Sequence, residues 1–287
     1  MSEQSYLSIY AKSFNWAGFF LPKQTYLKCS ALYDFCRVAD NIADSNETIE
    51  IKKIKFFDFQ HNFNNHKFDD PIIKNMWQLI NEFDIPLKVV HDLLDGINSD
   101  IQKDIKLNKK KDLLLYSYRV AGTVGLMMAK ILRVNKKSSL KSAIDLGIAM
   151  QLTNISRDVV EDLNFGRSYI NLNFEEIRST IKLSESYYRN SFYSIKEIPF
   201  TFRFAILVAR RVYRKIGYKI LKKKNLIDYK KSGKIYVSNI EKIIETLLSI
   251  FDLIKLSLIS KNDDNIEHDH ILINEEINLD ERIWLYN

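Results

Sequence analysis

Residues 146–162 read LGIAMQLTNISRDVVED. Leu146, Ile148, Ala149, Met150, Leu152 and Ile155 make the stretch apolar. Gln151, Asn154, Asp158 and Asp162 interrupt it at i, i+3, i+7 and i+11, the recurrence of one face of an α-helix. Polar residues repeating at helical spacing inside an apolar helix point to a face turned toward an internal cavity, where acids need counter-ions. Residues 32–44, LYDFCRVADNIAD, repeat the device: Tyr33, Arg37, Asp40 and Asp44 follow i, i+4, i+7 and i+11. Either aspartate pair alone reads as solvated surface. The same stripe on two helices is what carries chemistry.

Oxygen-only donors select hard cations. Mg²⁺ binds through one or two carboxylates and completes its shell with water and substrate phosphates. Two such helices facing each other would hold Mg²⁺ at Asp40, Asp44, Asp158 and Asp162 and clamp a diphosphate between them. Neutralising that group as it leaves makes a carbocation accessible. No histidine accompanies these acids, which disfavours zinc and di-iron. The single Glu-x-x-His, Glu267 to His270, lies outside the expected core helices, whereas a di-iron bundle needs two on core helices.

Composition agrees with a helical chain. Gly and Pro number 8 and 4 in 287 residues, against roughly 20 and 14 at average usage. Sandwiches, barrels and doubly wound sheets need more turns than this. Hydrophobic residues at 46% and charged residues at 28% exclude disordered, collagen-like and disulfide-scaffold classes. Helices are expected over about 5–20, 23–44, 47–63, 71–83, 87–107, 110–133, 137–165, 173–195, 200–224 and 238–260. Pro22, Pro71, Pro86 and Pro199 stand between them, where a proline can open a helix. The expected organisation is one all-helical domain over 1–260 and an acidic tail over 261–287. The net charge of +7 hides an excess of acids in that tail and a strongly basic body, which favours an anionic partner.

Cys29 and Cys36, seven apart on one expected helix, stand about 10 Å apart, too far for a disulfide. Reduced, buried thiols and a reducing, cytoplasmic compartment follow. No signal peptide is recognisable. The longest uncharged run, Leu146 to Ser156, is too short to span a bilayer.

Taken together, KSFNWAGFFLP (12–22), LYDFCRVADNIAD (32–44), YSYRVAGTVGLMMAKIL (116–132) and GIAMQLTNISRDVVEDLNFGRSYI (147–170) resemble the squalene/phytoene synthase family, head-to-head prenyltransferases. The match runs from about Tyr10 to Lys242, and its wording is nearest to bacterial phytoene synthases. The resemblance implies an all-α isoprenoid synthase fold around a central hydrophobic cavity. It implies condensation of two geranylgeranyl diphosphates through prephytoene diphosphate to phytoene, a step of carotenoid biosynthesis. Mg²⁺ is the implied cofactor, with Mn²⁺ as a substitute and no nicotinamide. Asp40, Asp44, Asp158 and Asp162 match metal-binding acids. Lys12, Ser13, Arg37, Arg157 and Lys242 match diphosphate contacts. Tyr33, Tyr116 and Tyr213 match tyrosines near the reacting carbons. Gln151 and Asn154 match polar positions of the second acidic motif, and Val120, Gly122 and Val124 match the cavity lining. Asn41, Ile170 and Lys234 depart from the family pattern. At Lys234 a lysine stands where an arginine is common, and it binds phosphate as a point charge.

Further expectations follow. Phe19, Phe20, Phe35, Leu126 and Met127 are candidate lining for an isoprenoid tail. Gly122 and Gly125 serve either ligand room or close helix packing. Lys109 to Lys111 and Arg210, Arg211 and Arg214 read as solvated charge. Peripheral membrane contact and downstream carotenoid enzymes are candidate partners; no nucleic-acid-binding module is recognisable. The rival readings are a squalene or dehydrosqualene synthase acting on farnesyl diphosphate, and a non-catalytic assembly protein of the same family.

Overall fold

The computed structural model describes residues 6–7, 12–102, 104–107, 109–258 and 270–283. Its helices are α1 (Lys12–Gly18), α2 (Lys23–Asp44), α3 (Ile49–Asn64), α4 (Pro71–Phe83), α5 (Leu87–Ser99), α6 (Lys110–Ser117), α7 (Thr123–Ile131), α8 (Lys137–Asn164), α9 (Phe174–Phe192), α10 (Phe200–Leu221), α11 (Leu226–Lys231), α12 (Asn239–Leu258), α13 (Ile271–Asn274) and α14 (Leu279–Ile283). A π-helical turn (Tyr118–Gly122) joins α6 to α7, and a 3₁₀ turn (Tyr193–Glu197) follows α9. Residues 5 and 8–11 of the expected first helix, 259–260 of the expected last helix, and 261–269 and 284–287 of the tail lie outside the described residues.

Local chemistry sets the helix starts. Pro71 occupies the first position of α4, and the Asp70 carboxylate caps it by accepting from Ile72 N at 2.8 Å. Pro22, Pro86 and Pro199 sit at the N-caps of α2, α5 and α10. Asn173 and Asn225 cap α9 and α11 through their side chains.

The 28-residue α8 is the axis of the fold. It touches α6, the π turn, α7, α9, the 3₁₀ turn, α10 and α14. Its contact with α7 is very close. A Cβ at Gly125 would stand 2.2 Å from the Ala143 carbonyl oxygen, and one at Gly147 2.2 Å from that of Ala121. Close packing is therefore the role of Gly125. Gly122 is likewise buried, facing Ile144 and Tyr118.

Several expectations are corrected. The helix expected over 87–107 ends at Ser99. Ile105–Lys106 then pairs in parallel with Arg167–Ser168, just after α8. The helix expected over 110–133 contains the π turn, in which Thr123 N–H donates to Tyr118 O, five residues back. Phe19 is 77% exposed and Phe20 is exposed, so neither lines an interior, while Phe35, Leu126 and Met127 are fully buried. Arg210 is buried and donates to Tyr188 O; Arg211 holds Asp252 and Arg214 holds Glu185. These arginines clamp helices together instead of standing in solvent.

The acidic C-terminal stretch does not hang free where it is described. Ile273, Ile277, Leu279 and Ile283 are buried. Glu275 and Glu276 pair with Lys111, Asp280 with Lys137 and Lys141, and Glu281 with Lys88. Arg282 donates to the buried Asp92, which also accepts from Tyr118. His270 Nε2 lies 2.6 Å from Asp145 Oδ1, a carboxylate with no exposed surface. Four lysines of the basic body are met by acids of this segment.

Candidate active site

The inner faces of α2, the π turn with α7, α8 and α10 carry the expected site residues. Tyr33, Arg37 and Asp40 on α2, Val120 and Val124 near α7, Gln151, Asn154, Arg157, Asp158 and Asp162 on α8, and Tyr213 on α10 are all half-buried.

Electrostatic coupling shows which of them meet. Burial pushes the Asp40 carboxyl up to about 7, helped by repulsion from Asp44 and Asp100. Burial likewise pushes Asp162 up to about 7, helped by Asp158 and also by Asp100. Asp100 is itself raised by burial and opposed by Arg167. The two acid stripes therefore approach each other around a carboxylate that sequence reading placed inside a helix.

Arg167 stands at this junction. Its guanidinium donates to Asp44 Oδ1 at 2.8 Å, to Ala43 O at 3.2 Å and to Asp100 O at 3.3 Å. The parallel pairing of Arg167–Ser168 with Ile105–Lys106 fixes its backbone beside Ile105. Asp100 is held by two tyrosine hydroxyls: Tyr116 donates to Oδ2 and Tyr169 to Oδ1, each at 2.7 Å. The two rings stack with centroids 4.5 Å apart. Tyr116 is thus tied to Asp100, and its phenol is raised by burial and that neighbouring charge. Asp100, Arg167 and Tyr169 were not among the expected site residues. The GRSY run at 166–169, beginning four residues past Asp162, was the available signal for two of them.

On the other side, Arg157 donates through Nε to Asp158 Oδ1 at 2.8 Å and also pairs through Nη2. Lys234 binds Glu161 and lies 3.5 Å from Asp158, which places this lysine at the second acidic motif. Tyr213, its phenol pushed up to about 12 by burial, lies within electrostatic reach of Arg157, Asp158 and Tyr33. Phe14 of α1 packs on Tyr213 with centroids 4.7 Å apart. Two residues before Phe14, Lys12 lies close enough to the buried Lys242 to help burial lower its ammonium. Lys242 also sits 5.8 Å from the Trp16 ring, and Ser13, next to Lys12 in sequence, is half-buried. Two lysines held together, one of them buried, suit an anion.

The donor set fits a hard cation of the Mg²⁺ type. Among the described residues no three of His, Cys, Asp and Glu converge to hold an ion by themselves. Mg²⁺ does not require that, since it takes one or two carboxylates and completes its shell with phosphate and water. Asn154 Oδ1 is buried without a hydrogen-bond partner one turn before Asp158, so an oxygen donor is available there. Repelling carboxylates raised to about 7 are the condition a divalent cation relieves.

Residues 8–173 match the family model described as squalene/phytoene synthase. The chain is 30% identical over 247 residues to the 15-cis-phytoene synthase of Enterobacter agglomerans, covering 75% of this chain and 83% of that protein. It is 29% identical over 247 residues to the 15-cis-phytoene synthase of Pantoea ananas, covering 75% and 80%. Among solved structures, a dehydrosqualene synthase in complex with ligand superposes with a TM-score of 0.72 at 27% identity, covering 88% of this chain and 95% of that one.

Proposed function

The chain belongs to the squalene/phytoene synthase family, and we propose that it joins two geranylgeranyl diphosphates head to head, through prephytoene diphosphate, to phytoene. One observation carries this reading: carboxylate stripes from α2 and α8 meet around Arg167, with the Lys12–Lys242 pair reached through Phe14 and Tyr213.

Asp40, Asp44, Asp158 and Asp162, aided by the Asn154 oxygen, are the residues that would hold Mg²⁺ or Mn²⁺. When bound, the metal supplies charge neutralisation for the departing diphosphate. Arg37, Arg157, Lys12, Ser13 and Lys242 bind diphosphate oxygens. Arg157 is engaged by Asp158 in this structure, so its contact with diphosphate requires that pair to loosen. Tyr33 and Tyr213, both kept neutral by burial, offer ring faces and phenol oxygens to a developing carbocation. Val120 and Val124 give the isoprenoid an apolar wall, with Gln151 as a polar neighbour. Gly122 acts by letting the π turn lie against α8. Tyr116 acts through Asp100, which in turn steadies Arg167. This product would need no nicotinamide and would enter carotenoid biosynthesis.

A second reading, a C15 substrate and a dehydrosqualene product, is favoured by the likeness to the dehydrosqualene synthase structure. Purified protein incubated with geranylgeranyl diphosphate, farnesyl diphosphate and Mg²⁺ in detergent decides between them. Phytoene as the main extracted hydrocarbon is expected. A C30 product would establish the second reading, and no C40 hydrocarbon where a known enzyme makes one would sink the first. Asp40→Asn and Asp158→Asn should each lower turnover by about 10² or more while circular dichroism stays unchanged. Unaltered turnover would remove these acids from the site.

A further inference from the structure

The structure assigns the outer face of α12 to docking on an anionic phospholipid bilayer. A surface helix normally buries its apolar stripe and shows water its charges. In α12 the order is reversed. Ile240, Ile243, Leu247, Phe251, Ile254 and Leu258 recur at i, i+3, i+7, i+11, i+14 and i+18, and all are exposed, Ile240 at 72% and Phe251 at 67%. The charged side of the helix faces the protein. Glu245 is buried and pairs with Lys215 at 3.1 Å and Arg211 at 3.3 Å. Asp252 pairs with Arg211 at 2.6 Å, and Glu241 with Lys219 at 2.8 Å. These ion pairs fix the helix so that its apolar stripe cannot turn inward without breaking them.

An apolar stripe of this length marks an interaction surface, and charge identifies the occupant. Every carboxylate of α12 is held by α10, so none is left to repel an anionic surface. Cations stand at both ends of the stripe. In the cleft where α10 meets the start of α12, Lys215 and Lys219 are taken up by Glu245 and Glu241, and the exposed Lys222 supplies the cation. Near the far end Lys255 is exposed on α12 itself. Trp16 Nε1 donates to Thr246 Oγ1 at 3.0 Å, which ties α1 to this helix, and the exposed Phe19 and Phe20 follow α1. An apolar helical face with basic flanks and aromatic neighbours has the character of a helix lying in the plane of a bilayer interface. Among the described residues no helix is long and apolar enough to cross one. The assignment rests on this surface alone and holds whichever prenyl diphosphate the protein uses.

Flotation of the full chain with phosphatidylcholine vesicles, with and without 30% phosphatidylglycerol, tests it. The wild-type chain is expected to float with the anionic vesicles and at least threefold less with neutral ones. Leu247→Gln combined with Phe251→Gln should lower anionic-vesicle binding at least tenfold, with turnover on detergent-dispersed substrate unchanged. Lys222→Glu combined with Lys255→Glu should erase the preference for anionic vesicles. A Leu247→Cys variant carrying a polarity-sensitive dye should shift to the blue on vesicle addition; Cys29 and Cys36 are buried and do not compete for the label. Absence of wild-type flotation, or equal flotation by the Leu247→Gln/Phe251→Gln variant, overturns the assignment. So does light scattering that shows a wild-type dimer abolished by that variant, because a second copy would then cover the face.

Discussion

Arg167 donates to one carboxylate and two backbone carbonyls drawn from α2 and from the loop after α5. Replacing it by Gln leaves Asp44 and Asp100 without that partner, and hydrogen bonds to charged groups contribute about 1.5–3 kcal/mol each. Arg167→Gln should therefore lower unfolding free energy by roughly 2 kcal/mol in urea titrations. Arg167→Lys should recover only part of this, because a lysine cannot span several acceptors in one plane. Asp34 gives the pH prediction. Burial raises its carboxyl above the ordinary range, only partly opposed by backbone donors at Tyr6 and Leu7. The folded state then holds a proton that the unfolded state has already released. Its contribution to stability falls as pH rises from the ordinary carboxylate value through the raised one. Asp34→Asn should raise Tm at pH 7 and leave it unchanged near pH 3, as scanning calorimetry would show. The acid stripes were legible in sequence because helical spacing places i, i+4, i+7 and i+11 on one face whatever the tertiary context. Arg167 and Asp100 were not, because their meeting depends on a two-residue parallel bridge between segments more than 60 residues apart.

At the scale of the element, helix spans followed from apolar periodicity and proline placement; α2 and α4 occupy the spans expected from sequence. Failures fell where tertiary contact overrides local propensity. Nothing in residues 100–107 forbids a helix, and pairing with Arg167–Ser168 stops it. The π turn is similarly non-local, since it lets Gly122 approach Ile144 on α8. The contact of α8 with the π turn gives a direct test. Gly147→Ala would force a Cβ to within 2.2 Å of the Ala121 carbonyl oxygen. Overpacking of this kind costs about 1–3 kcal/mol or more, so Tm should fall by roughly 4–10 °C in calorimetric scans. Gly233, with open space around the added Cβ but φ of +59°, should show a smaller loss on the same substitution, caused by backbone strain alone.

Taken whole, the molecule is a basic body closed by an acidic segment. Ending the chain at Leu258 would expose the core that Ile273, Leu279 and Ile283 cover. It would also leave Asp92 and Asp145 without Arg282 and His270. Removing one partner of a buried pair costs about 3–5 kcal/mol, so the truncated chain should lose its cooperative calorimetric transition. Binding energy should act in the opposite direction. Mg²⁺ and inorganic pyrophosphate added together should raise Tm by more than the sum of their separate effects, because each completes the other's coordination. An additive or smaller shift, read by differential scanning fluorimetry, would count against a shared site. The Arg282–Asp92 contact also has a consequence for synthesis. The two residues lie 190 positions apart, and at translation speeds of about 5–20 residues per second the cation follows its acid by roughly 10–40 s. Through that interval the nascent chain carries Asp92, and the Tyr118 bound to it, without their counter-charge. Vectorial folding from the ribosome therefore cannot close the Asp92 site until the segment that carries Arg282 has been made.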